Sequence, residues 1–173
     1  NAHSDICTDC GFVFINPRMT AEGYADFYKR WYRPLVSAYG NKQLDLPFLQ
    51  QEARHYAEQV CQVIDQYACH PSRRKAIDVG GSTGDFAAEL SKRWGYECTV
   101  LDPCPDELSC AKTSGATVVA GLVEDFDTLK RFDLISVLQT IDHVLDPVGT
   151  LAKCRRWISP HGILVIDFVD YRV

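Results

Sequence analysis

The rhythm of apolar positions changes near residue 75. Upstream it is helical: Tyr24, Phe27, Tyr28 and Trp31 stand at i, i+3, i+4 and i+7, the spacing of one helix face. Thr20 is a candidate N-cap for this helix, with Glu22 in the first turn where an anion is favoured. Pro34 should end or interrupt it, leaving 35–46 irregular. Pro47 suits the opening turn of a second helix, whose stripe is Leu49, Ala53, Tyr56, Val60, Ile64 and Tyr67. Downstream, short apolar runs alternate with helical patterns. The predicted elements are strand 76–80, helix 84–94, strand 97–102, helix 105–113, strand 117–120, strand 132–138, helix 147–157 and strand 162–169. Strands alternating with helices imply a parallel sheet covered on both faces. We therefore expect an α/β, Rossmann-like doubly wound domain over 75–173. Residues 1–74 form an N-terminal segment with a Cys-x-x-Cys knuckle, a short strand (11–17) and two helices. The chain begins at Asn1 and stops just after the apolar run 162–169. Both ends are read as cut, with the sheet truncated after its fifth strand. The last strand would then be an apolar edge on which a second copy could pair.

Composition narrows the function. The chain has 173 residues, 46% of them hydrophobic, and a net charge of −5. That balance suits a globular domain and offers no basic stripe for nucleic acid. No apolar run approaches the roughly 18 residues that span a bilayer, so no membrane partner is expected. Cys61, Cys98, Cys110 and Cys154 lie singly in predicted elements, as free thiols do, and the compartment is read as reducing and cytoplasmic.

The chemistry concentrates in Asp78-Val-Gly80-Gly81-Ser82-Thr-Gly84 and in Asp102 at the end of the next strand. Glycines at a strand-to-helix turn allow positive φ or close approach of a ligand. An acid after the second strand can accept hydrogen bonds from both hydroxyls of a ribose. A dinucleotide fingerprint needs further glycines where Ser82 and Asp85 stand, and Asp78 would repel a diphosphate while tolerating a cationic ligand. A nicotinamide-dependent oxidoreductase is therefore the weaker reading.

These residues, with Val100-Leu-Asp102, Gly121-Leu-Val-Glu124-Asp125-Phe126, Arg131–Val137 and Ile158–Val165, resemble the motifs of class I S-adenosylmethionine-dependent methyltransferases. The resemblance implies that Gly80, Gly81, Ser82 and Gly84 flank the methionine and ribose parts of S-adenosylmethionine. It also implies that Asp102 holds the ribose, that Glu124 or Asp125 lies beside the adenine, and that Leu138 and Gln139 cover the methyl end. Ser82 replaces a glycine usual in the family. The stretch Cys7-Thr-Asp-Cys10 through Pro34 is similar to a methyltransferase group with a zinc-binding N-terminal segment that acts on sugars and related small molecules. Structural zinc needs four ligands. Cys7 and Cys10, with His3 as a third candidate, are either part of such a site or two ordinary thiols in a turn.

His143 follows a predicted strand's carboxyl end, where α/β active sites lie. It could take a proton from a small-molecule acceptor, with Asp142 orienting it, or it could simply pack against the next helix. The related sugar enzymes carry Glu-His here, one methylene longer than Asp142-His143. By the same resemblance Tyr28, Tyr32 and Arg33 could close over the acceptor, although helical spacing of aromatics more often marks plain core. His55, His70 and His161 are read as surface residues. A methyltransferase acting on a small polar acceptor is the leading expectation, with a sugar or nucleotide sugar foremost. A non-catalytic cofactor-binding or assembly module of the same fold is the alternative.

Overall fold

A computed structural model describes residues 3–41, 45–67 and 74–168. Residues 70–73 of the basic stretch 70–75, read as a connector, and Val169, the last residue of the predicted final strand, lie outside them.

The N-terminal segment opens with an antiparallel hairpin of β1 (Ser4–Ile6) and β2 (Val13–Ile15), Ser4 facing Ile15. The strand expected at 11–17 is thus shorter and has a partner. Thr20 caps α1 (Ala21–Asp26), its hydroxyl accepting from Gly23 N at 3.2 Å. Pro34 does not end the helical run. A π-helical turn (Phe27–Trp31) follows α1, and α2 (Tyr32–Gly40) continues from it. A proline ring removes a donor and crowds the carbonyl four residues back. The wider turn just upstream, with Tyr32 N donating to Phe27 O, relaxes the backbone there, and Pro34 falls in the first turn of α2. The chain stays helical to Asn41, which ends it in the left-handed conformation.

Helix α3 (Leu46–Tyr67) carries Pro47 in its first turn and buries Ala57, Cys61 and Ile64. Beyond it come β3 (Lys75–Val79), α4 (Asp85–Trp94), β4 (Glu97–Asp102), α5 (Pro105–Thr113), β5 (Thr117–Ala120), β6 (Phe132–Leu138), α6 (Pro147–Trp157) and β7 (Ile158–Asp167). The last five strands form one parallel sheet in the order β5-β4-β3-β6-β7. Strand β7 starts four residues before the expected position. Ile158 pairs with Phe132 across a register shift, and the Ser159 hydroxyl donates to Asp133, so the Ser-Pro-His-Gly stretch extends the strand.

Alternation along β3 sorts the core. Ala76 joins Leu134, Leu90 and Ala111 with Cys61 and Ile64 on the face covered by α3, α4 and α5. Ile77 and Val79 join Ile135, Val137 and the fully buried Trp157 of α6 on the other. The doubly wound expectation holds. Neighbouring strands run to opposite sides of β3, so the chain reverses its winding at the carboxyl ends of β3 and β6, where such sheets bind ligands. Among the described residues no helix is long and apolar enough to cross a membrane.

Because α3 is stitched into the sheet's core, Ile64→Ala should lower unfolding free energy by about 2–5 kcal/mol in urea titration. A loss below about 0.5 kcal/mol would detach α3 from that core.

Candidate active site

The turn from β3 to α4 has little room for side chains. A Cβ on Gly80 would stand 2.3 Å from Thr140 Oγ1, one on Gly81 2.5 Å from Asp78 Oδ2, and one on Gly84 2.5 Å from the Ala111 Cβ. Gly80 and Gly84 also have φ of +73° and +75°. Ser82 takes φ +49° without being glycine, a strained state of about 1–2 kcal/mol. Its hydroxyl donates to Glu107, and its N–H donates to Asp102 Oδ2 at 2.9 Å.

A cleft of about 260 Å³ opens at this turn. Its floor comes from strand ends and following loops: Val79, Gly80, Leu101, Asp102, Leu122 and Leu138. Glu124, Gln139, Thr140 and His143 also line the cleft, together with Tyr24, Tyr28, Tyr32 and Arg33 of the N-terminal segment. Of the expected cofactor residues, Gly80, Ser82, Asp102, Glu124, Leu138 and Gln139 therefore meet around one space. Gly81, Gly84, Asp125 and Asp78 do not line it. Gly81 and Gly84 are needed for packing beneath the turn, and Asp125 is exposed. Asp78, 3% exposed, points into the sheet face below, where Ser136 Oγ donates to its Oδ1 at 2.6 Å. Burial pushes its carboxyl up to about 6.

Asp102 lines the cleft together with two further acids, Glu107 and Glu124. Each Asp102 carboxylate oxygen accepts one backbone N–H, from Ser82 and from Cys104 at 2.8 Å. A carboxylate has about four lone-pair sites, so capacity remains for two ligand hydroxyls. Burial pushes this carboxyl up to about 6 against the pull of those two N–H groups.

Arg33 is a residue whose partner the sequence conceals. It grips Glu107 with Nε at 2.6 Å and Nη2 at 2.9 Å. Burial raises the Glu107 carboxyl, but the Arg33 and Ser82 contacts outweigh it and hold the group below the ordinary carboxylate range. In sequence Glu107 is only a first-turn acid of α5; no local signal connects it to a residue 74 positions away.

The aromatic row is not core. Tyr24, Tyr28 and Tyr32 pack with their rings tilted, 4.9 and 5.0 Å between successive centroids, and no residue from 21 to 40 is fully buried. The working spacing is i, i+4, i+8, because the π-helical turn rotates Trp31 outward to 57% exposure. His143 stands against this row. Its Nδ1 lies 2.5 Å from the Tyr28 hydroxyl, and both Tyr28 and Tyr32 meet its ring edge-on. Burial pushes the Tyr28 hydroxyl far above its usual range, so it keeps its proton and is able to donate to an unprotonated Nδ1. Asp142 Oδ2 is 3.6 Å from Nε2, too long for a hydrogen bond.

Cys7 and Cys10 sit in the hairpin turn, where Gly11 N donates to Cys7 O. Among the described residues no three His, Cys, Asp or Glu side chains gather as a metal site, so His3 does not complete one. The zinc expectation has no structural support. His55 and His161 are exposed, as expected; His70 lies outside the described residues.

Residues 52–173 match the family model described as a methyltransferase domain. The chain belongs to this methyltransferase-domain family. It is 26% identical over 102 residues to a ubiquinone biosynthesis O-methyltransferase of Bradyrhizobium diazoefficiens, covering 56% of the chain and 40% of that relative. It is 25% identical over 123 residues to the enzyme of the same name from Histophilus somni, covering 63% and 50%. The chain thus spans about half the length, or less, of these curated relatives. The fold is that of solved methyltransferases. One is the S-adenosylmethionine-dependent methyltransferase of Thermotoga maritima described as a possible histamine N-methyltransferase (TM-score 0.56, 23% identity, 78% of this chain and 58% of that one). Another is the plantazolicin methyltransferase BpumL in complex with S-adenosylhomocysteine (0.58, 18%, 83% and 56%). These likenesses carry no evidence for the zinc-binding segment or for the sugar-acting group.

Two outcomes follow for the methyltransferase domain without ligand. Gly84→Ala should destabilise it by at least about 1 kcal/mol, from the positive φ and the Ala111 clash. Unchanged urea stability would show that the turn has slack. Asp78 binds its proton more tightly in the folded state than in the unfolded chain, whose value is about 4. Its contribution therefore declines as pH rises from about 4 through about 6. Asp78→Asn should flatten the fall in stability between pH 4 and 8 by about 1–3 kcal/mol, measured by denaturation at each pH; superimposable parent and variant profiles would refute the buried-acid account.

Proposed function

We propose that this domain binds S-adenosylmethionine in the cleft and transfers its methyl group to a hydroxyl of a small molecule. The observation that carries the reading is Asp102 at the end of β4, buried yet with lone pairs left over, facing a cleft whose one guanidinium or ammonium among the lining residues, that of Arg33, is already paired with Glu107. That acceptor-rich lining suits a nucleoside with free ribose hydroxyls and a cationic sulfur; it serves a diphosphate poorly. Asp102 would hold the ribose. Leu122 and Glu124 would flank the base, and Gly80, Leu138 and Gln139 the methionine and methyl end. Bound S-adenosylmethionine supplies an electrophilic methyl carbon on a sulfonium.

The acceptor side is the part of the cleft where the tyrosine row meets His143. Tyr28 occupies His143 Nδ1, and an acceptor hydroxyl displacing it would meet the same basic nitrogen. His143 would take the hydroxyl proton as the acceptor oxygen bonds to the methyl carbon and the carbon–sulfur bond breaks. Charge on the imidazole would be stabilised by Asp142 at ion-pair range. The tyrosine faces would orient a ring by stacking. The relatives' names favour O-methylation; a sugar hydroxyl is the second acceptor class, resting on the N-terminal resemblance alone.

Isothermal titration with S-adenosylhomocysteine should show saturable binding, with none for NADH. Asp102→Ala should weaken it by about 10–100-fold, the worth of hydrogen bonds to a charged group. His143→Ala should leave this affinity within about twofold. Binding of NADH instead, or no binding to a folded sample, would end the reading.

A further inference from the structure

Beside the cleft, two loops with no sequence link are tied by side chains. The first, residues 121–126, lies between β5 and β6. The second, 139–146, runs from β6 to α6 and carries His143. Glu124 reaches from the first to the second: its Oε1 accepts from Leu145 N at 2.6 Å and from Asp146 N at 3.3 Å. Lys153 of α6 reaches back. Its ammonium donates to the carbonyls of Val123, Glu124 and Phe126 at 2.9, 2.6 and 2.7 Å. From the N-terminal segment, Arg18 donates to the carbonyls of Leu145 and Val144 at 2.7 and 2.9 Å. The backbone just after His143 therefore has its N–H groups held by an anion and its carbonyls held by a cation.

This is more than capping of α6. Asp146 already caps that helix, its Oδ1 accepting from Gly149 N at 2.9 Å. The N–H groups that Glu124 takes lie before the helix, where regular structure gives them no partner. Glu124 also lines the cleft, so one residue faces the ligand space and the loop of the histidine.

We propose that Glu124 is a positioning residue for His143, tying the height of the imidazole over the cleft to the loop 121–126. The proposal rests on the reading of His143 as the acceptor-side base. Removing the tie lets water satisfy two partly exposed N–H groups, so the fold persists while the histidine loses its register against Tyr28.

The test uses the full chain without ligand. Nitrogen-15 histidine spectra, assigned with His143→Ala, report which ring nitrogen bears the proton, and amide exchange reports Leu145. The parent should show Nε2–H with Nδ1 accepting. Glu124→Ala should average the two ring tautomers and speed Leu145 exchange at least about tenfold. Glu124→Gln keeps an oxygen acceptor and should restore the parent pattern. A parent-like His143 in Glu124→Ala, or loss of the pattern in Glu124→Gln, overturns the proposal. Should the alanine variant fail to fold, an unprotected Leu145 amide in the parent overturns it and a protected one, with a parent-like Glu124→Gln, supports it. The titration with S-adenosylhomocysteine can succeed or fail independently of these ligand-free readouts.

Discussion

Everything around the cleft depends on how closely the β3–α4 turn is pressed against its neighbours. Thr140, Asp78 and Ala111 each occupy the space where a side chain on Gly80, Gly81 or Gly84 would stand. Those contacts tie the turn to the β6 exit loop, to β3 and to α5. They set the height of Ser82, whose N–H then meets the carboxylate of Asp102. The glycines serve this assembly first; only Gly80 of the three also borders the cleft. A loop that looks designed for a ligand is, in two of its glycines, designed for protein packing.

The second organising feature is negative charge held away from water. Asp78 and Asp102 lie near one another at adjacent strands and both are raised by burial. Their chemistry diverges through their surroundings. Asp78 is closed off by Ser136 and Gly81 and acts within the sheet. Asp102 borders open space and keeps acceptor capacity. Burying carboxylates costs stability, and such costs concentrate where a fold handles a ligand. The strained Ser82 fits the same pattern, with its hydroxyl directed to Glu107 rather than left idle.

The N-terminal segment turns the cleft into a site with two sides. Arg33 with Glu107, Arg18 with the backbone after His143, and Tyr28 with His143 itself are three separate attachments of that segment to the sheet's carboxyl edge. Each joins residues more than 70 positions apart. The aromatic period explains why the segment is easy to misread. Tyr24, Phe27, Tyr28 and Trp31 spell a helix face for a regular α-helix, but the π-helical turn advances the register and leaves Tyr24, Tyr28 and Tyr32 in line.

By itself the sequence determined the alternation of strands and helices from 75 onward, the glycine turn, Asp102 at its strand end and His143 beyond β6. Those are local facts: period, turn chemistry and chain order decide them, and parallel strands with right-handed crossovers leave few ways to assemble them. Tertiary structure alone decided which acids face the cleft, since Asp78 and Asp102 look alike in sequence and differ only in what packs on them. It decided that Glu124 holds the His143 loop, that Glu107 answers Arg33, and that Tyr28 meets the imidazole. Pairings of that kind follow from side-chain reach across the folded sheet edge, and residues far apart in the chain leave no periodic trace of them.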